Sequence, residues 1–491
     1  MTDFFDANRL DSNSARGVLR RRQFLNAGAV GAATVAFSAL STRSSLAHGL
    51  AGAWRHRSPG YGPLSVKPDG ATGLPLLALP EGFRYASYGW TGQTMADGRA
   101  TPTDHDGMAV VARRGPLLAL VRNHELVPGE GPQAFVEGGM YNPAEYGGTT
   151  NLFFNLLTGR FSTSYTSLGG TNRNCAGGPT PWGTWLSCEE TFHPWGSRAD
   201  GFNHGYLFEV PGFGVGNGQP IRAAGRFSHE AVAVDPATGI VYETEDARQS
   251  GFYKYVPPSA GAARRRVFGA ARRRLQDGGE LYAMVLDGVS RMDLRGGFAA
   301  GATFSVGWQR VTDPEGMEGR AFDSAPDAAI IARGEGAWYD AGKIYFVSTS
   351  GGAAGLGQVW VYDPRREELT MLYESSSGAE VDGPDNIAIS PRGGILLCED
   401  GDADPQRLVG LTPRGETFAF AQNQIALGPG DIDRIDAVFP GTKAHFHDDH
   451  EGSFTGSEWA GATFYGDWLF VNIQSPGVTF AITGPWFRGA L

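Results

Sequence analysis

The chain has 491 residues, of which 52 are acidic and 41 are basic, so its formal net charge at pH 7 is −11. An acidic protein repels nucleic-acid phosphates, which excludes nucleic acid as the expected partner and is compatible with the binding of cations. The 72 glycines and the 11% aromatic content favour turn-rich β structure over helical bundles.

Residues 1–47 have the pattern of an export signal. The twin-arginine sequence RRQFL at residues 21–25 is followed by an apolar run over residues 27–40 and by small residues at 45–47 that suit a cleavage site. A basic amphipathic helix is the alternative interpretation. The apolar run is too short to span a bilayer, so we expect no permanent membrane anchor. The sequence predicts recognition by the twin-arginine export machinery and a periplasmic or extracellular location.

Residues 48–491 are predicted to form a single β domain, in which residues 48–80 are an extended arm. One pattern recurs six times after this arm: a potential ligand, a short apolar run, a turn, a second apolar run and a polar cluster. Turns such as DPATG at 235–239 and SPRGG at 390–394 indicate hairpins. Six such repeats are typical of a six-bladed β-propeller. We expect residues 79–98 to enter the first blade and the strand at 478–483 to complete a blade begun near the N-terminus.

The first residue of each repeat is a candidate metal ligand. If the first strand of each hairpin is the innermost strand of its blade, these residues surround one end of the central channel; they are Asp106, Cys175, Glu230, Glu335, Asp385 and Glu458. Buried carboxylates repel one another, so we expect cations to neutralise them, and hard oxygen ligands suit Ca²⁺. The polar clusters that end the hairpins add five candidate metal ligands: Glu125, Glu189, Glu190, Asp246 and Asp400.

Arg333 precedes Glu335 by two residues. Such residues share one face of a strand, so both side chains can reach one cavity. A guanidinium beside metal ions is suited to phosphate, because its planar fork holds two oxygens. Arg333 and Glu335 are therefore the predicted catalytic residues, and Arg333 is also the predicted substrate-binding residue. The alternative is that Arg333 only pairs with Glu335.

The chain has three cysteines, so at least one of them is unpaired. Two interpretations stay open for Cys175: a disulfide with Cys188, or a thiolate ligand, which iron accepts more readily than calcium does. Cys188 and Cys398 lie in apolar runs and are expected to be buried small side chains. The sequence HFHDDHE at 445–451 is either a transition-metal site or an exposed loop. The arginine-rich segment 259–274 is either a solvated surface or an anion site.

Several motifs resemble those of the PhoX-type alkaline phosphatases: NC at 174–175, TPWGTW at 180–185, CEE at 188–190, RFSHE at 226–230, NIQSPG at 472–477 and GPW at 484–486. The resemblance runs from Gly60 to Trp486. It implies a six-bladed propeller that binds Fe³⁺ and Ca²⁺ at the mouth of its channel and hydrolyses phosphate esters outside the cytoplasm. It also implies that Cys175 is an iron ligand, that Glu230 and Glu335 are metal ligands and that Arg333 binds phosphate.

The predicted function is hydrolysis of small-molecule phosphate monoesters by a monomeric enzyme, with a metal-activated water or oxo group as the nucleophile. The sequence contains neither a nucleophile elbow nor a Walker loop, which would have indicated other chemistries. Two alternatives stay open. One is a calcium-dependent propeller phosphodiesterase or lactonase, and the other is a non-catalytic propeller that binds calcium.

Overall fold

The computed structural model describes residues 59–193, 200–258, 260, 275–445 and 451–491. The predicted export signal, nearly all of the arginine-rich segment and residues 446–450 of the histidine-rich stretch lie outside these ranges. Antiparallel strands dominate the described residues and helices are few, which confirms the predicted all-β class. No helix in these ranges is long and apolar enough to cross a membrane.

Three strands precede the first repeat: β1 (Leu64–Lys67), β2 (Leu77–Pro80) and β3 (Arg84–Tyr88). They are followed by antiparallel meanders, in which each strand pairs with the next. The first three meanders are β4 (His105–Arg114), β5 (Leu117–His124), β6 (Gly147–Asn155) and β7 (Arg160–Thr171); β8 (Asn174–Pro179), β9 (Thr184–Glu189), β10 (Leu207–Pro211) and β11 (Pro220–Ile221); and β12 (His229–Val234), β13 (Val241–Glu245), β14 (Phe252–Val256) and β15 (Glu280–Leu286).

After β16 (Thr303–Arg310), the fourth and fifth meanders are β17 (Gly334–Asp340), β18 (Lys343–Ser348), β19 (Gln358–Asp363) and β20 (Glu368–Glu374); and β21 (Pro384–Ile389), β22 (Ile395–Glu399), β23 (Arg407–Leu411) and β24 (Thr417–Asn423). A short connecting region then contains β25 (Ala426–Leu427), α1 (Pro429–Val438), α2 (Thr442–His445) and β26 (Gly452–Ser453). The last three strands are β27 (Trp459–Tyr465), β28 (Trp468–Ile473) and β29 (Val478–Thr483). Short 3-10 helices lie at Arg222–Ala224, Ala321–Ser324 and Trp486–Arg488.

The two ends of the chain complete one sheet together. β29 pairs with β3, so the last three strands and an N-terminal strand make the sixth four-stranded meander. This agrees with the expectation that the last strand completes a unit begun near the N-terminus. The prediction that residues 79–98 enter the first unit is wrong, because β3 has its hydrogen-bonding partner at the opposite end of the sequence. The segment predicted as an arm contains β1 and β2, and β2 extends the fifth meander by pairing with β24.

The first strands of the six meanders contact one another in a closed ring, in the order β4, β8, β12, β17, β21, β27 and back to β4. These strands are largely buried on both faces, as in β12, whose sequence HEAVAV is entirely buried. Outer strands alternate instead, as in β20, where every second residue of ELTMLYE is buried. The core fills the spaces between neighbouring meanders; for example, Met108 and Leu120 pack against Phe470 and Ala481.

Gly461 shows how closely the ring strands approach each other. It has a φ of +61°, and a Cβ at this position would lie 2.6 Å from the backbone nitrogen of Met108 and 2.7 Å from the carbonyl oxygen of Asp106. Gly466, in the turn before β28, has a φ of +60° and no atom within 4 Å of an added Cβ. The two glycines therefore share a backbone conformation and differ in the space around them.

We expect Gly461→Ala to destabilise the protein much more than Gly466→Ala. Backbone strain alone costs about 1 kcal/mol at either glycine. At Gly461 the overlap with β4 adds about 2 kcal/mol or more, because a packed backbone cannot move away cheaply. Chemical denaturation of the two variants measures the difference. Equal costs would contradict the close approach of β27 and β4.

Candidate active site

One hydrogen bond recurs in all six meanders and shows which residues are equivalent. The residue directly after the second strand donates its N–H to the carbonyl oxygen of a residue just before the first strand. The six bonds are Glu125 to Asp104 (2.9 Å), Glu190 to Arg173 (2.7 Å), Asp246 to Ser228 (3.0 Å), Thr349 to Arg333 (3.0 Å), Asp400 to Gly383 (2.8 Å) and Gln474 to Glu458 (3.3 Å). We call the donors the exit positions and the acceptors the flanking positions.

The residue two positions after each flanking position is called the ring position. The six ring residues are Asp106, Cys175, Glu230, Glu335, Asp385 and Ala460. Each first strand changes its pairing register at or next to this position, as between His105 and Met108 or between Asn174 and Gly177. Such a β-bulge releases a side chain from the regular alternation and redirects it. The bulges therefore account for the convergence of the ring side chains.

Five ring residues and two exit residues form three groups that share members. The groups are Asp106, Glu125 and Cys175; Cys175, Glu190 and Glu230; and Glu230, Glu335 and Asp385, and within each group the potential ligand atoms lie within 4.8 Å of one another. Because Cys175 and Glu230 each belong to two groups, seven side chains form one continuous cluster. The sequence predicted all seven as candidate ligands, and the fold brings them together.

The cluster concentrates negative charge in a buried place. Burial raises the pKa of Glu230 well above its usual value, and the neighbouring Asp385 and Glu190 raise it further. Burial likewise raises the pKa of Asp106, Glu190 and Glu335 well above the ordinary range and that of Asp385 to about 7. Among the described residues, neither carboxylate oxygen of Glu230 has a hydrogen-bond donor. Bound cations would supply the missing partners, and the residues present fit them.

Cys175 adds a soft donor to this set of oxygens. Its Sγ donates to Oδ2 of Asp106 at 3.2 Å, and burial, together with the charge of Asp106, raises the pKa of the thiol well above its usual value. A cation bound nearby would favour the thiolate. All three cysteines of the chain are free and buried, so the alternative of a disulfide between Cys175 and Cys188 is wrong. Cys188 and Cys398 are buried in strands, as expected.

Arg333 lies at the edge of the third group. Its Nε donates to Oδ1 of Asp246 at 2.9 Å, and its Nη2 donates to Oδ2 at 3.1 Å. Nη2 also lies 2.9 Å from Oε1 of Glu335, and the Arg333 side chain is 40% exposed. Arg333 thus pairs with Glu335, as one interpretation expected, and its guanidinium also faces solvent beside the cluster. Asp246 is not a member of the three groups, but it contacts Arg333 and is close enough to Glu190 to raise its pKa.

The sixth meander differs from the others. The sequence places Glu458 in line with the other repeat starts, but the equivalent ring residue is Ala460, which carries no ligand atom. Glu458 occupies the flanking position instead, where Nε2 of Gln474 donates to it at 2.5 Å. Burial raises the pKa of Glu458 well above its usual value, and Asp400 and Asp385 raise it further. Asp400 itself stands outside the three groups, close enough to Asp385 and Glu458 to affect their pKa values.

Glu189 does not join the cluster. Its carboxylate accepts hydrogen bonds from the backbone nitrogens of Asn172, Gly205 and Tyr206 at 2.8 to 3.1 Å, and lies 2.6 Å from Nδ1 of His204. Consecutive residues of a strand point to opposite faces, so Glu189 and Glu190 cannot both face the ring. Glu189 instead fixes the backbone just before β8 and just before β10.

Two residues near the cluster have no place among the sequence-predicted sites. Arg173 occupies a flanking position, and its Nη1 lies 3.0 Å from Oε1 of Glu125. Asp104 occupies another, where burial and the charges of Glu125 and Glu130 raise its pKa to about 7. Aligning the repeats on their ring residues would have found both, because they precede a ring residue by two positions, as Arg333 does.

Comparison with known proteins gives one family match. The family model for alkaline phosphatase PhoX matches residues 59–161 and 153–477. Among solved structures, Pseudomonas fluorescens PhoX in complex with vanadate, a transition state analogue, is 17% identical and has a TM-score of 0.60, with 89% of this chain and 99% of that chain covered. This similarity shows a shared fold. A search of curated proteins finds no match.

Two further solved structures show weaker similarity. A gluconolactonase from Xanthomonas campestris is 12% identical with a TM-score of 0.36, over 87% of this chain and 100% of that chain. A virginiamycin B lyase from Staphylococcus aureus in a complex with quinupristin is 11% identical with a TM-score of 0.39, over 82% and 99% of the two chains. Neither similarity is strong enough to carry an argument about function.

Proposed function

The chain belongs to the alkaline phosphatase PhoX family, and from this membership we propose that it hydrolyses phosphate monoesters at the seven-residue cluster. The observation that carries the proposal is a buried cluster of carboxylates and one thiol beside the part-exposed guanidinium of Arg333. Among the described residues, neither oxygen of Glu230 has a hydrogen-bond donor. Such a site offers places for cations and a donor fork for phosphoryl oxygens.

We further propose that the cluster holds Fe³⁺ and Ca²⁺. Cys175 would bind iron, because a thiolate is a soft donor that calcium does not select. The carboxylates of Asp106, Glu230, Glu335 and Asp385 are hard donors suited to calcium and also accepted by iron. When bound, these ions would neutralise phosphoryl oxygens and activate the attacking water.

The protein's own groups bind and orient the ester. Arg333 would donate to the phosphoryl oxygens through the guanidinium edge that faces solvent, since Nε and Nη2 are directed to Asp246. Asp246 and Glu335 would hold this guanidinium in place, because both lie about 3 Å from its nitrogens. Binding of the ester between Arg333 and the cluster would align the phosphorus for attack by water.

We also propose a propeller architecture for the fold and an exported location for the protein. The six meanders would be the blades of a propeller, and their first strands, which contact one another in a closed ring, would line its channel. The twin-arginine sequence at residues 21–25 supports export to the periplasm or beyond. The substrates would be small-molecule phosphate esters outside the cytoplasm, and the protein would act as a monomer.

Metal analysis combined with turnover tests this proposal. Protein obtained after native export is expected to contain iron and calcium and to hydrolyse p-nitrophenyl phosphate, and chelation is expected to abolish the activity, because the carboxylates then lose their counter-charge. Re-addition of both ions restores activity if the fold survives chelation. Calcium alone with no turnover would overturn the proposal, and would leave a lactonase or a non-catalytic calcium-binding protein as the explanation of the site.

A further inference from the structure

Arg173 and Arg333 occupy equivalent places in two different meanders. Both are flanking residues, and both have a φ of +48°. Each one pairs with the exit carboxylate of the preceding meander: Arg173 with Glu125 at 3.0 Å and Arg333 with Asp246 at 2.9 Å. The repeat therefore presents two guanidinium groups at the site, one beside the first ligand group and one beside the third.

The backbone at these positions does not explain the choice of arginine. The left-handed conformation recurs at the equivalent Gly383, which adopts it without steric cost. An arginine in the same conformation costs about 1 kcal/mol or more, and such strain is typical of residues whose side chain is needed. The side chains of Arg173 and Arg333 must therefore supply the reason for their presence.

The two guanidinium groups differ in how firmly the protein holds them. Arg333 is held by both oxygens of Asp246 and by its own ring residue, Glu335. The ring residue that follows Arg173 is Cys175, whose Sγ donates to Asp106 instead. Within the described residues, the hydrogen bond that holds the Arg173 guanidinium is the one from Nη1 to Glu125, and the side chain is 46% exposed. A guanidinium has five N–H donors, so Arg173 keeps most of its donors for a ligand.

We propose that Arg173 binds a second anionic group of the substrate, carried by the part of the ester that is not transferred. The inference rests on the proposed phosphatase function and specifies its substrate class: phosphate esters whose leaving group bears a carboxylate or another phosphate. The second ligand group, formed by Cys175, Glu190 and Glu230, shares one residue with each of the other two groups. Arg173 stands beside the first group and Arg333 stands beside the third. A substrate that spans the cluster from a phosphoryl group at Arg333 would place its leaving group near Arg173. Both carboxylate and phosphate match the planar fork of arginine.

Two substrate analogues that differ by one charge test the proposal: phenyl phosphate and 4-carboxyphenyl phosphate. Arg173→Ala is expected to lower kcat/KM for 4-carboxyphenyl phosphate about tenfold, mainly through KM, because a charge-assisted hydrogen bond is lost. For phenyl phosphate, which has no second anionic group, the same variant is expected to lower kcat/KM by a clearly smaller factor, because the loss of the Arg173–Glu125 pair affects both substrates alike. Arg173→Lys is expected to retain part of the preference, and Arg333→Ala is expected to impair both substrates.

Arg222 provides a matched control. It is 45% exposed and pairs with Glu315 at 3.1 Å, which resembles the situation of Arg173, but it lies outside the cluster. Arg222→Ala is expected to change neither substrate. Equal losses for both substrates in Arg173→Ala would mean that Arg173 contacts the transferred phosphoryl group or supports Glu125, and would overturn the proposal. No loss for either substrate would overturn it as well.

Binding of phenylphosphonate and 4-carboxyphenylphosphonate separates this proposal from the proposed function. These analogues have a carbon–phosphorus bond and are not hydrolysed, so calorimetry reads their binding without turnover. Arg173→Ala is expected to weaken binding of the carboxylated analogue about tenfold and to weaken binding of phenylphosphonate much less. If the wild-type protein hydrolyses neither ester yet shows this difference, the phosphatase proposal fails and the role of Arg173 stands. Identical binding of both analogues by the wild-type protein contradicts the role of Arg173.

Discussion

Replacing Glu230 by Gln is expected to lower kcat for p-nitrophenyl phosphate by about a thousandfold, which corresponds to a loss of about 4 kcal/mol of transition-state stabilisation. Glu230 belongs to two of the three ligand groups, and both of its oxygens are buried without a donor among the described residues. An amide has no negative charge, so it cannot replace the carboxylate that we propose to serve two adjacent cation sites. The bound metal content of the variant is therefore expected to fall together with its activity.

Glu243 offers a control for this substitution. It is as fully buried as Glu230, its two oxygens likewise lack a donor in the described part of the chain, and burial raises its pKa well above the usual value. It stands outside the three ligand groups. Glu243→Gln is thus expected to leave metal content and kcat unchanged. Normal metal content and activity in Glu230→Gln would contradict the proposal that Glu230 is a ligand shared by two cation sites.

The metal-free protein is expected to lose stability steadily as the pH rises above the ordinary carboxyl range of about 4 to 4.5. Burial holds the pKa of Asp106, Glu190, Glu230 and Glu335 well above the ordinary carboxyl value. A carboxyl group with a raised folded-state pKa keeps its proton in the folded state and loses it on unfolding, so its contribution to stability declines until the pH passes the folded-state pKa. Between its unfolded-state and folded-state pKa values, one such group lowers the free energy of unfolding by about 1.4 kcal/mol per pH unit.

Below about pH 6.5 this decline is expected to be shallower. Burial lowers the pKa values of three histidines, His105, His124 and His229, below the usual range. On acidification these histidines are therefore protonated in the unfolded state before they are protonated in the folded state. The three histidines oppose only part of the slope that the four carboxyl groups impose, so the metal-free protein should still become more stable on acidification down to about pH 4.5. Below that pH the carboxyl groups of the unfolded state are protonated as well, so the histidines dominate and stability in the presence of a chelator should decrease.

Urea denaturation in a chelator at several pH values measures this profile. The metal-loaded protein is expected to show a much flatter profile above pH 6.5, because bound cations keep the carboxylates ionised. Glu230→Gln should flatten the profile of the metal-free protein by removing one titrating group. A metal-free profile that rises or stays level above pH 6.5 would show that the folded state does not hold these protons.

Much of the site follows from local sequence patterns. Each hairpin is specified by two apolar runs and a turn, and a ligand at the start of the first run comes with it. This is why Asp106, Cys175, Glu230, Glu335 and Asp385 could be singled out as converging residues from the sequence. Glu125 and Glu190 follow the second runs in the same way. All seven lie in the cluster.

Other features depended on register and on distant pairing. Glu189 and Glu190 are adjacent in sequence, and only the alternation of β9 decides which of them faces the ring. In the sixth meander the register places Ala460 at the ring position, where each of the other five meanders has a candidate ligand. Glu458 lies at the flanking position instead. The partner of β3 is β29, which is almost the whole chain away. No local pattern encodes these relationships.

The sequence by itself thus determined the β class, the six hairpins and the residue types that supply ligands, because turns and apolar alternation act over a few residues. The tertiary structure decided which carboxylates meet, which arginines stand beside them and how the chain ends close the ring. These outcomes depend on bulges that redirect side chains and on strand pairing between distant segments, both of which are fixed only when the six meanders pack together. Arg173 illustrates the difference: an alignment of the repeats places it two positions before a ring residue, as it places Arg333, and its pairing with Glu125 appears only in the assembled ring.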